Sequence, residues 1–251
     1  MMILPSEMKE GTTMANAQGF ADVRPNGRIY SRLKRALDIL SSGIGLIILL
    51  PIFLLVAIAI KIDSRGPILY AQERVGKNRR RRPRRAADPA SGPRPGAPDR
   101  RKTDCYGRVF EIYKFRSMVA DAEKHTGPVW ATQKDARVTR VGKVLRKTRL
   151  DETPQLWNVL RGDMSLVGPR PERPNFVISL ARTLPDYPAR CQALPGVTGL
   201  AQVKWRYDTS IETVNRKLQY DLYYLRYGRL LLDLKIMAAT LRVVVRGDGA
   251  L

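Results

Sequence analysis

Asp151 and Glu152 stand side by side in the stretch RKTRLDETPQLWNVLRGDMSLVGPRPE, residues 146–172. Arg146 and Arg149 precede them, and Arg161 and Arg170 follow. Pro154 opens the run TPQLWNVL, whose apolar residues Leu156, Val159 and Leu160 fit one face of a short helix. Proline is tolerated in a first turn, so the spacing predicts that the acid pair sits at a helix N-terminus. The field there favours ionised carboxylates and can also hold a phosphate. The plain alternative is a pair of capping acids matched by surface arginines. The helix should end at Gly162, and GDMSLVGPRPE reads as a rigid turn with a short extended piece.

The rest of the composition narrows the chemistry. A net charge of +22 over 251 residues implies an anionic partner: nucleic acid, anionic lipid or a phosphorylated substrate. The charge is uneven, because Lys77 to Lys102 holds eleven Lys/Arg against two Asp/Glu. Cys105 and Cys191 lie far apart, which suggests neither a zinc site nor a disulfide framework, and a reducing compartment is expected. The single histidine, His125, lies in the polar segment EKHTGP and reads as a loop residue. One histidine leaves no room for a His-rich metal centre and weakens any triad with histidine as base.

The elements that must position the acids can be read in order. Residues 1–30 form a polar tail with no apolar h-region near Met1, so a signal peptide is not expected. From Ile39 to Ile60 no residue is charged, a run of about 22 residues that could cross ~30 Å of hydrocarbon as a helix. A buried core helix is the alternative, though cores seldom supply a run apolar on every side. Pro51 lies near the middle and favours a kink. Both flanks are basic, with Arg32, Lys34 and Arg35 before and Lys61 and Arg65 after. A re-entrant helix-break-helix over residues 31–62 satisfies the positive-inside rule at both ends, and a straight span does not. Asp38 at the membrane mouth is expected to pair with Lys34 or Arg35.

Residues 63–251 then read as one domain that carries the acid pair, mixed α/β and mostly helical. PILYAQ has strand character. The Arg/Pro-rich segment at about 79–104 has no apolar period and reads as a disordered insert that adheres to anionic lipid, at about 1 kcal/mol per basic residue. GRVFEIYKFRSM reads as a strand with Lys114 and Arg116 on one face. Helices are predicted over DARVTRVGKVLRKTRLDE, over Phe176 to Leu184, and from Ile211 onward with a break at Gly228. The last of these carries Asp233, Lys235 and Arg242, so it reads as amphipathic rather than spanning. Tyr220, Tyr223, Tyr224 and Tyr227 fit either core packing or an interfacial belt.

The fragments KRALD, QERVGKN, YKFRSM, LDETPQLWNVLRGDMSLVGPRPE, PGVTGLAQV and YDLYYLRYGRLLLDLKI, in that order, resemble the bacterial sugar transferase family. These are small monotopic phosphoglycosyl transferases. The likeness runs from Arg32 to the C-terminus; the tail and the Arg/Pro-rich insert depart from it. It implies transfer of a sugar 1-phosphate from a nucleotide diphosphate sugar to polyprenyl (undecaprenyl) phosphate in exopolysaccharide and O-antigen synthesis. It also implies the cytoplasmic face of the bacterial inner membrane.

By motif match the resemblance makes Asp151 the nucleophile of a covalent phosphosugar intermediate, with Glu152 assisting the acceptor phosphate or the metal. Mg²⁺ is the implied cofactor, with Asp151 as its ligand. Lys114, Arg116, Arg146, Arg170 and Arg206 become candidate phosphate contacts. KWRYD, around Arg206, departs from the family's glycine-containing loop. Asp221 and Asp233 fall at family positions, where salt bridges between helices are as good a reading as catalysis. Membrane lipids are expected partners, and a homo-oligomer is compatible with the sequence. Two rival functions follow from the charge and the apolar run: a nucleic-acid-binding protein using the insert, and a non-catalytic membrane scaffold. The membrane segment beside the insert argues against nucleic acid, and the intact acid pair argues against a scaffold.

Overall fold

A computed structural model of the chain describes residues 27–78, 106–120, 122, 135–205 and 210–246. Most of the predicted tail and the Arg/Pro-rich insert lie outside these residues, as do His125, Cys105 and Arg206.

Helix α1 runs unbroken over Arg28–Asp63, 36 residues. Its first turn takes in residues 28–30, which the sequence reading placed in the tail. The predicted break at Pro51 does not interrupt it. Proline's fixed φ suits a helix, and the ring removes one backbone bond without forcing the chain out of the helical region. Among the described residues, α1 is the one helix long and apolar enough to cross a membrane. It is no core helix, since Ile47 is 74% exposed and Leu55 67%.

Both ends of α1 dock on the same body. Near its start Lys34 meets Asp233 at 3.0 Å, and Arg35 donates to the carbonyls of Val159 and Leu160 at 2.6 and 2.7 Å. Near its end Val56 and Ile60 pack with Phe115 and Leu145, and Phe53 meets Phe115 edge to face at 5.2 Å. Asp63 accepts from the Val141 amide at 3.1 Å.

Strands β1 (Leu69–Val75) and β2 (Val109–Phe115) form an antiparallel pair, in register from Leu69↔Phe115 to Val75↔Val109. Residues opposite each other share a face, so Tyr70, Gln72 and Arg74 lie on the Lys114 side. Helix α2 (Arg140–Lys147) follows, its N-terminus capped by Thr139, whose hydroxyl accepts from the Gly142 amide. A 3₁₀ turn at Leu150–Glu152 leads into α3 (Gln155–Arg161), which Gly162 ends in the left-handed conformation at φ 86°. β3 (Ser165–Val167) then pairs in parallel with β4 (Gly196–Thr198). Between those strands lie the Gly168–Glu172 turn, α4 (Pro174–Thr183) and a 3₁₀ helix at Tyr187–Gln192. α5 (Leu200–Lys204), α6 (Ile211–Tyr227) and α7 (Leu230–Arg246) complete the chain, with the predicted interruption at Gly228. Leu232 and Ile236 of α7 join the core while Leu231, Leu234 and Leu241 face outward.

Candidate active site

The acid pair is not inside a helix's first turn. It occupies its own 3₁₀ turn, and Thr153 and Pro154 separate it from α3. A seven-residue helix contributes little field, so side chains must supply the offsetting charge. Arg149, just before the turn, is in the left-handed conformation at φ 60°. For a residue with a Cβ this costs about 1 kcal/mol, and it turns the chain sharply between α2 and α3.

Asn158, fully buried on α3, fixes that helix to β2. Its side-chain amide donates to the Glu111 carbonyl at 2.7 Å and accepts from the Tyr113 amide at 3.2 Å. Lys114, next along β2, thereby faces the turn. Its Nζ donates to Glu152 Oε1 at 2.9 Å, and Arg170 Nη2 donates to the same oxygen at 2.7 Å. Glu152 takes both cations, and no hydrogen bond or ion pair falls to Asp151 among the described residues.

The two carboxylates are therefore driven apart electrostatically. Burial, and then the neighbouring charge of Glu152, pushes Asp151 up to about 6. Burial would also raise Glu152, but Arg170 and Lys114 outweigh it and hold that carboxyl well below its usual range. Asp151 is left as the more basic of the two carboxylates, still mostly ionised near neutral pH and without a side-chain partner among the described residues.

The predicted phosphate contacts divide. Lys114 and Arg170 meet at Glu152. Arg146 sits on α2 with its Nε donating to Ser117 Oγ at 3.0 Å, and its charge is felt at Asp151. Arg116 is employed elsewhere: buried just past the end of β2, it donates to the Ser64 and Arg65 carbonyls, both at 2.7 Å, and closes the exit of α1. The strand's period of two stops at Phe115, so Arg116 does not share the Lys114 face. Arg206 lies outside the described residues.

Asp38 pairs with neither Lys34 nor Arg35. Its Oδ1 accepts from the Leu166 amide at 2.9 Å and Ser165 Oγ at 3.1 Å, tying α1 to β3. Both helix aspartates make salt bridges, Asp233 with Lys34 and Asp221 with Arg190 at 2.8 Å. Asp233 also accepts from Tyr30 at 2.8 Å and from Tyr224 at 2.7 Å, which puts Tyr224 in the core, whereas Tyr227 is exposed.

Sequence reasoning passed over Arg74 and Gln72. Arg74 donates to Gln72 and, at 3.0 Å, to the Pro171 carbonyl, and it lies 3.5 Å from Glu172. The signal available was the alternation in LYAQERV, which puts Gln72 and Arg74 on one strand face.

A sequence model described as bacterial sugar transferase matches residues 29–82 and 92–247 and passes over part of the Arg/Pro-rich insert. A UDP-N-acetylgalactosamine-undecaprenyl-phosphate N-acetylgalactosaminephosphotransferase of Aeromonas hydrophila is 40% identical over 88% of this chain, which covers 46% of that relative. A UDP-glucose:undecaprenyl-phosphate glucose-1-phosphate transferase of Klebsiella pneumoniae is 37% identical over 86% of this chain, which covers 41% of that relative. The chain thus spans under half the length of these two curated relatives. The exopolysaccharide production protein PSS of Rhizobium leguminosarum bv. phaseoli is 36% identical and matched over 98% of its length. With the matched segments taking in every described element from α1 to α7, the chain belongs to the bacterial sugar transferase family.

Proposed function

We propose that the chain transfers a sugar 1-phosphate from a UDP-sugar to undecaprenyl phosphate, as the names of its relatives describe for them. In the first step an Asp151 carboxylate oxygen attacks the phosphorus that bears the sugar. The bond to the other phosphate breaks, and nucleoside monophosphate leaves. In the second step an oxygen of the lipid phosphate attacks the same phosphorus, the bond to Asp151 breaks, and the carboxylate is restored. One site then serves a soluble donor and a lipid acceptor in turn.

The observation that carries this reading is the division of labour between the acids. Glu152 gathers Lys114 and Arg170 beside the reacting centre, where they offset phosphoryl charge. Asp151 is left free to attack. The donor set also suits Mg²⁺, which takes one or two carboxylates and completes its shell with water and substrate phosphates. The Asp151 oxygen that does not attack would hold it, and when bound the ion would supply further charge neutralisation at the diphosphate.

We further infer a monotopic arrangement on the cytoplasmic face of the inner membrane. Basic residues flank the apolar segment at both ends, and both ends of α1 pack against one body, which favours entry and exit on the same side. The exposed leucines of α7 suit the same interface.

A single-turnover reaction without polyprenyl phosphate tests the chemistry. Wild-type protein should retain labelled sugar phosphate after denaturation, and Asp151→Asn should retain none. Glu152→Gln should turn over at least about 100-fold more slowly. Labelling of Asp151→Asn at the wild-type level would place the nucleophile elsewhere.

A further inference from the structure

Arg170 reaches Glu152 from the Gly168–Glu172 turn, which has no regular structure of its own. Pro169 and Pro171 lack N–H groups, so the turn cannot brace itself with a backbone ladder. Its carbonyls must be held from outside, and four in succession are. The Pro169 carbonyl accepts from the Gly196 amide at 2.9 Å, and that of Glu172 from the Val75 amide at 2.8 Å. The Pro171 carbonyl accepts from Arg74 at 3.0 Å, and that of Arg170 itself from Arg190 Nη2 at 2.9 Å.

Arg190 is in turn held on three sides. Asp221 on α6 lies 2.8 Å from its Nη2, its Nη1 donates to the Tyr187 hydroxyl, and the Tyr187 ring lies under the guanidinium at 4.9 Å. Asp221 and Tyr187 are each 3% exposed. A buried ion pair of this kind is seldom more stabilising than apolar side chains of equal volume. What apolar side chains cannot do is grip the carbonyl of Arg170.

We propose that Arg190 and Asp221 are positioning residues, which fix the backbone of Arg170 so that its guanidinium meets Glu152. This rests on the function proposed above. It gives Asp221 a role in the reaction without contact with substrate.

Two readouts on the full-length protein test it, using Arg190→Lys and the near-isosteric Asp221→Asn. Hydrogen exchange should quicken at the Val75 and Gly196 amides, which bond the turn. The Arg116 amide, which bonds Ile68 away from the turn, should keep its rate. In transfer assays Arg190→Lys should lower kcat by roughly 10- to 100-fold, the scale of a 1 Å misplacement. In an Arg170→Lys background the same change should cost under about 3-fold, because the two residues act as one unit. Equal losses in both backgrounds, or exchange quickened throughout the chain, would reduce the pair to a general structural role. A wild type with no transfer activity would overturn the proposed function instead, and the exchange arm would still decide the clamp.

Discussion

Replacing either acid by its amide removes one charge and almost no volume, yet the two changes should move stability in opposite directions. Asp151 is raised to about 6 by burial and by Glu152. A carboxyl raised above its unfolded value loses stability as pH climbs from the ordinary carboxylate range through 6, because the folded state holds the proton longer. At pH 7 Asp151→Asn should therefore gain roughly 1–2 kcal/mol, discounted for a half-buried side chain, while activity is lost. Glu152→Gln leaves Lys114 and Arg170 facing each other without the carboxylate that gathers them. It should cost roughly 1–3 kcal/mol, less than a fully buried pair, because the Arg170 side chain is 38% exposed. Thermal melts at pH 7 check both signs. If the proposed attack is right, the wild-type rate should fall as pH drops below about 6, where Asp151 takes up its proton. The pair's importance was legible in the sequence, since two acids among four arginines make an unusual cluster. The duty of Arg116 was not: the carbonyls it grips lie 51 and 52 residues away, beyond any local pattern.

At the scale of elements, α2 owes its placement to one missing side chain. A Cβ on Gly142 would come within 2.0 Å of the Ser117 carbonyl oxygen. That close approach lets Arg146 reach Ser117 Oγ and sets the start of the turn that carries the acids. In an exposed helix, Gly→Ala stabilises by about 1 kcal/mol. Here the sign should reverse, because the obstacle is backbone and cannot swing aside. Gly142→Ala should lower Tm and lower transfer activity with it, whereas Val144→Ala, on the exposed face of the same helix, should leave both nearly unchanged. Helix periodicity found α3, α4, α6 and α7 because each buries a stripe at helical spacing. It could not place the 3₁₀ turn at Leu150–Glu152, whose geometry follows from the left-handed Arg149.

For the molecule as a whole, the question is how a 36-residue helix, about 54 Å if straight, relates to a domain that touches both its ends. The apolar run and its basic flanks were plain in the sequence; the contacts that close the arrangement were not, because they join residues far apart in the chain. Lys34 and Asp233 are 199 positions apart, and Asp38 and Leu166 are 128 apart. A helix crossing fully would carry Lys61 and Arg65 to the far side and break the Asp63 bond to α2 and the Arg116 grip on Ser64. The Lys34–Asp233 pair holds the opposite end, with Lys34 16% exposed and Asp233 fully buried. Asp233→Asn should strand the Lys34 charge, cost roughly 3 kcal/mol, and loosen the start of α1 without touching the acids. Topology itself can be read by labelling. Single cysteines at Arg32 and Arg65, in a background with Cys105 and Cys191 replaced by serine, should resist an impermeant maleimide in intact spheroplasts. Both should react once the membrane is permeabilised. Reaction of either position in intact spheroplasts would put that end outside and require a spanning helix, and at least one of the two docked ends would then have to separate from the domain.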